Sequence, residues 1–182
     1  MKNHLCWIDL AKSIGLLMMI LGHGSLVNDD LRCHFYSFHM PMFFTISGLL
    51  ISNRGGKFIS IQKNFKTLTI PYFCMNLLCL LFFSIMEFAK GELCFTNLKS
   101  HIFAILLGVG YNIGAFKPVC TAMWFFYATF IVKVLYAFLP NNRVSKLIQV
   151  VICIAIVKIL TTYHINTYGP LDSAIMAYPF LL

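Results

Sequence analysis

The sequence predicts an all-α fold, a polytopic transmembrane helical bundle of about six to seven apolar segments, and three observations carry that prediction. Of 182 residues, 59% are hydrophobic and 11% are charged, less than half the roughly 25% charged share of a soluble domain. Mean hydropathy is +0.81, so lipid rather than water is the natural solvent for this much apolar surface. The apolar residues also fall in long runs between short polar loops, without the alternation over about ten residues that marks a β-barrel.

The first span runs from about Ile8 to Leu26. Lys2 precedes it as in a signal peptide, but Asp9 and Lys12 interrupt the apolar run and Gly22-His23-Gly24-Ser25 offers no small-x-small cleavage site, so the segment reads as a retained first helix. The polar loop Asn28-Asp29-Asp30-Leu31-Arg32 leads to a second span from about Phe35 to Ile51. After Ser52-Asn53-Arg54-Gly55-Gly56-Lys57, a basic interfacial helix is expected over about 57–70, with Phe58, Ile61, Phe65 and Leu68 on one face and Lys63 and Lys66 on the other. Pro71 is expected to end it and Tyr72 to open a third span to about Phe88. The glycine-rich stretch Ile102–Gly114 is only marginally long enough to cross and reads as re-entrant or broken. Ala122–Leu139 and Leu147–Thr162 are further spans, separated by Pro140-Asn141-Asn142-Arg143, and a last apolar run covers Leu171–Leu182.

The formal net charge of +8 is not that of a nucleic-acid binder. Arg54, Lys57, Lys63 and Lys66 cluster between two apolar spans, where the positive-inside rule and anionic lipid account for them. Counting Lys and Arg places the N-terminus and residues 52–70 in the cytoplasm and the 27–34 loop outside. Seven cysteines without any CxxC, and no zinc-like spacing, point to small buried side chains and to no metal site.

Lys12 and His23 stand eleven residues apart in the first span. Eleven steps of about 100° bring them within about 20° of one helix face, and at about 1.5 Å per residue they lie about 16 Å apart along the axis. Ionisable groups inside a span are costly and usually face a bundle interior, a pathway or a reaction site. A neutral imidazole takes a proton from a hydroxyl near pH 7, the general-base step of acyl transfer to an alcohol; the plainer reading of His23 is an interfacial histidine bonded to a neighbouring helix. Asp9, three residues before Lys12, offers it a neutralising ion pair as an alternative. His39 approaches the outer end of the first span from the second, in a segment where Pro41 weakens the helix ladder and Ser47-Gly48 permits close packing. Trp124 reads as an aromatic-belt residue, and Lys133 and Lys158 as snorkelling side chains.

The combined pattern resembles the membrane-bound acyltransferase family 3, and within it the fucose 4-O-acetylase-like sugar O-acetylases. The residues that carry the resemblance are Asp9-x-x-Lys12, Lys12-x10-His23 and Phe38-His39-Met40-Pro41-x-Phe43-Phe44-x-Ile46-Ser47-Gly48, followed by Ile70-Pro71-Tyr72, Trp124-Phe125-Phe126 and Leu171-Asp172-Ser173-Ala174 with Pro179-Phe180. It implies an O-acyltransferase that moves an acyl group, usually acetyl, from cytoplasmic acyl-CoA to a hydroxyl of a cell-surface or lipid-linked sugar, in a bacterial inner membrane and with no bound cofactor. It also implies His23 as catalytic base, Lys12 as the basic member of the Arg/Lys-x10-His motif and His39 as a second essential imidazole, with Asp9, Ser47 and Trp124 in support. Lys63 and Lys66 add a landing site for the CoA phosphates, or for membrane lipid.

Family members usually exceed 300 residues with about ten spans, so the 182 residues are expected to be the N-terminal part of a single acyltransferase domain, a truncated form whose own activity is in question. The alternatives are an inactive fragment, or a transporter or flippase in which Lys12 and His23 line a pathway.

Overall fold

All regular structure among the described residues is helical. A computed structural model describes residues 6–24, 27–51, 57–91, 95–110, 117–120, 123–140, 142–163 and 171–182. Arg54, Ser25 and Leu26, residues 111–114 of the glycine-rich stretch, Ala122 and the side chain of Asp172 lie outside that set. The helices are α1 (Cys6–His23), α2 (Asp29–Leu49), α3 (Lys57–Asn64), α4 (Ile70–Ala89), α5 (Phe95–Leu107), α6 (Trp124–Phe138), α7 (Arg143–Thr162) and α8 (Leu171–Leu181). A π turn, Phe65–Thr69, joins α3 to α4 without a break, so the described residues form seven helical rods.

Three of these are long and apolar enough to cross a membrane: Cys6–His23, Phe58–Ala89 and Arg143–Thr162, with Trp124–Phe138 a shorter apolar helix. The expected second span, Phe35–Ile51, corresponds to most of helix α2. Helix α2 has the length, 21 residues, but it carries His34, Ser37, His39, Thr45 and Ser47 and is not one of those three. A helix of this composition crosses lipid only with its polar face turned to other helices.

A correction concerns Pro71, which terminates nothing. A proline ring clashes with the carbonyl four residues back and supplies no N–H. Directly upstream the coil widens, with the Ile70 N–H donating to Phe65 O five residues back, and this gives the ring room inside one continuous rod. Thr67 and Thr129 satisfy their hydroxyls on the carbonyls of Lys63 and Phe125, four residues back. Thr69, at the end of the π turn, does not, and its Oγ1 is buried without a partner among the described residues.

Helix α5 spans 13 residues, about 20 Å and short of a hydrocarbon core. It stops at Gly108, whose φ of +69° is the left-handed conformation glycine tolerates. Gly108 N–H donates to Ile105 O and Val109 N–H to Ala104 O, a Schellman cap, with Ala104 and Val109 packed together as its apolar contact. Helix α7 begins earlier than expected because Asn142 caps it, its Oδ1 accepting from the Ser145 N–H at 3.2 Å.

The chain divides into two compact units: Met1–Ile51 with Pro179–Leu182, and Ser52–Tyr178. In the larger, Tyr72 ties three helices: its ring stacks on Tyr127 of α6, with centroids 5.2 Å apart, and its hydroxyl donates to Ile105 O of α5 at 2.7 Å. Gln149 does the same for the C-terminal half. Its Nε2 donates to Pro140 O (2.8 Å) and Ser145 Oγ (3.0 Å), and its Oε1 accepts from the Tyr178 hydroxyl of α8 (2.7 Å).

Candidate active site

The smaller unit is an antiparallel hairpin of α1 and α2 whose seam is set by two glycines. Helix α1 buries Ile8, Gly15 and Gly22, one residue every seven, the repeat of helices crossing at a shallow angle. A Cβ on Gly15 would lie 2.3 Å from Met42 Cε and 2.9 Å from Phe43 Cζ. One on Gly22, seven residues along, would meet Phe35 and Tyr36, seven residues back along α2, at 3.7 Å. Asn28 caps α2, accepting from Leu31 N–H at 3.0 Å, and Asp29 and Asp30 occupy its favourable first turn. Arg32 closes the connection, pairing with Asp29 at 2.9 Å and reaching Gly24 O and Val27 O at 3.4 and 3.3 Å.

This register fixes where the ionisable groups stand. At about 100° per residue, Lys12 lies about 60° and His23 about 100° round from the glycine stripe, in the same sense. Both flank one side of the seam, and both are exposed. Among the described residues no ion pair joins Lys12 to Asp9; separately, the backbone carbonyl of Asp9 accepts from Ser13 Oγ at 2.9 Å.

His23 is bonded to a residue that the sequence did not single out. The Tyr36 hydroxyl lies 3.1 Å from His23 Nδ1 and 3.3 Å from Gly22 O. The rings meet edge to face with centroids 5.4 Å apart. On its other side Tyr36 lies 5.5 Å from the ring of His39, one turn along α2. His39 is 1% exposed; its Nδ1 donates to Phe35 O at 2.5 Å, and its ring edge meets Phe43 at 6.3 Å. His23, Tyr36, His39 and Phe43 therefore form one file of rings along the seam. The only signal for Tyr36 in the sequence was its i, i+3 spacing to His39.

Gly48 backs directly on the last helical turn of the chain. A Cβ there would lie 2.5 Å from Leu181 O, so neighbouring Ser47 belongs to a close helix contact.

The remaining candidates lie in the larger unit. Trp124 opens α6 with its indole laid over Gly110, where a Cβ would meet Trp124 Cδ1 at 2.5 Å, and its ring is 6.5 Å from Phe125. Lys63 and Lys66 are exposed on α3 and the π turn. Lys63 is close enough to Lys133 of α6 for the two ammonium groups to repel each other. Phe65 and Phe130 pack beside them with rings 5.9 Å apart. Among the described residues, no group of three or more His, Cys, Asp or Glu is arranged to hold a metal ion.

A sequence profile for the acyltransferase domain, acyltransferase 3, matches residues 6–182. No curated protein and no solved structure matches the chain.

Proposed function

The chain belongs to the acyltransferase 3 family, and on that premise we propose that it transfers an acyl group, acetyl in the simplest case, from cytoplasmic acyl-CoA to a hydroxyl of a cell-surface or lipid-linked sugar. The observation that supports this most is the exposed His23, hydrogen-bonded to Tyr36 on the flank of the seam that also carries Lys12.

In this mechanism His23 removes the proton of the acceptor hydroxyl as its oxygen attacks the thioester carbonyl. The tetrahedral intermediate collapses, the C–S bond breaks, and the imidazolium returns the proton to the departing thiolate of CoA. Lys12 plays a different part. It lies about 16 Å from His23 along α1, beyond the reach of one lysine side chain, so it does not stabilise charge at the reacting carbonyl. Its ammonium suits the anionic part of the donor, on the cytoplasmic half of a helix whose N-terminus faces the cytoplasm. His39, buried with Nδ1 committed to Phe35 O, positions the ring file rather than exchanging protons with solvent. In their own unit, Lys63 and Lys66, with Lys133 beside Lys63, attract phosphates of the donor or of lipid.

The test is acetyl transfer from labelled acetyl-CoA to membrane glycans, with His23→Gln as comparison. Loss of a general base lowers the rate about 10²- to 10⁴-fold. Transfer undiminished in His23→Gln, or sugar uptake that depends on His23 while no acyl group moves, would sink the reading.

A further inference from the structure

The Tyr36 hydroxyl has one proton and two neighbours, Gly22 O at 3.3 Å and His23 Nδ1 at 3.1 Å. A carbonyl oxygen only accepts. Gly22 is the next-to-last residue of α1. If the phenol donates to Gly22 O, its oxygen is left to accept, and His23 Nδ1 must supply the hydrogen; both contacts are then hydrogen bonds. If the phenol donates to His23 Nδ1 instead, the contact with Gly22 O is no bond at all. Donor counting therefore selects the first arrangement. A neutral imidazole carries one N–H, so with that hydrogen on Nδ1 the lone pair is on Nε2.

We propose that Tyr36 is a positioning residue that holds His23 in its Nδ1–H tautomer and so presents a bare Nε2 to the acceptor hydroxyl. This rests on His23 being the base of the reaction above. His39 reaches the same state by another route: Phe35 O can only accept, so Nδ1 carries the hydrogen there too. The two imidazoles on either side of the Tyr36 ring thus share one tautomer, fixed at His23 by a side chain and at His39 by the backbone.

Tyr36→Phe removes the hydroxyl and keeps the ring that packs between the two histidines. The full chain, labelled with ¹⁵N-histidine, is examined by NMR at alkaline pH, where imidazoles are neutral, and the His23 signals are identified by their loss in His23→Gln. The expected result is a protonated Nδ1 and bare Nε2 at His23, shifting toward the Nε2–H form in Tyr36→Phe. In parallel, kcat for acetyl transfer falls about 2- to 10-fold, the range set by one hydrogen bond, while KM for acetyl-CoA is unchanged. A merely structural role for Tyr36 would leave the tautomer where it was. An Nε2–H tautomer in the unmodified chain, or the same tautomer in both proteins, overturns the proposal even if both transfer acetyl groups. The tautomer shift without acyl transfer by either protein leaves Tyr36's hold on His23 standing and overturns the acyltransferase mechanism instead.

Discussion

Gly15 and Gly22 lie on one stripe of α1, yet the same substitution has opposite consequences at the two. Carbon atoms rest about 3.5–4.0 Å apart. An alanine methyl at position 15 would sit 2.3 Å from Met42 Cε and 2.9 Å from Phe43 Cζ. Met42 Cε ends a flexible chain and can swing away. The Phe43 ring is already placed against His39, and its movement disturbs the ring file. Overpacking of this kind costs about 1–3 kcal/mol, offset by about 1 kcal/mol from replacing glycine within a helix. Gly15→Ala is therefore destabilised by about 0–2 kcal/mol. At Gly22 the nearest atoms are 3.7 Å from the new methyl, ordinary contact, so only the helix gain of about 0.5–1 kcal/mol remains. The two variants should differ by about 1–3 kcal/mol, which for a chain of this size is about 2–12 °C in Tm. Thermal unfolding of both in the same detergent measures it. If Gly15→Ala melts at or above Gly22→Ala, the helices do not meet along this seam and the placement of His23 derived from it is wrong.

Two further outcomes follow from the larger unit. Thr69→Val removes a buried hydroxyl with no partner while keeping its shape, and should leave stability unchanged or raise it by about 1 kcal/mol; a fall in Tm would mean that the hydroxyl is bonded. Gln149→Leu strands the Tyr178 hydroxyl, 2% exposed, and should cost about 1–3 kcal/mol. Most of that loss should vanish when measured against a Tyr178→Phe background, and equal losses in both backgrounds would exclude the coupling.

What the sequence made legible is what depends on local periodicity. The shared face of Lys12 and His23, the hairpin implied by the short Asn28–Arg32 loop and the helical nature of every described element all follow from spacing along one chain. What it hid depends on partners. Tyr36 is one of 8 tyrosines, and only the hairpin register brings its hydroxyl to the end of α1. Lys133 reads as a lone snorkelling cation until α3 and α6 are laid side by side. Pro71 misled for a different reason: proline marks a helix end when the preceding coil is α, and the π turn that removes the clash has no signature of its own in Phe65–Thr69. Asn142 was read with its loop because a cap and a turn use the same residue types.

The contact of Gly48 with Leu181 couples two moments in the birth of the chain. The hairpin α1–α2 is fully synthesised at residue 51, but the helical turn that packs on Gly48 belongs to residues 179–182, about 130 residues later. At about 5–20 residues per second that interval is about 6–26 s, long on the scale of helix insertion and pairing. Throughout it the groove at Gly48 faces whatever surrounds the nascent hairpin, lipid or an insertion factor. Gly48 thus waits for a packing partner that is made well after the rest of its own hairpin.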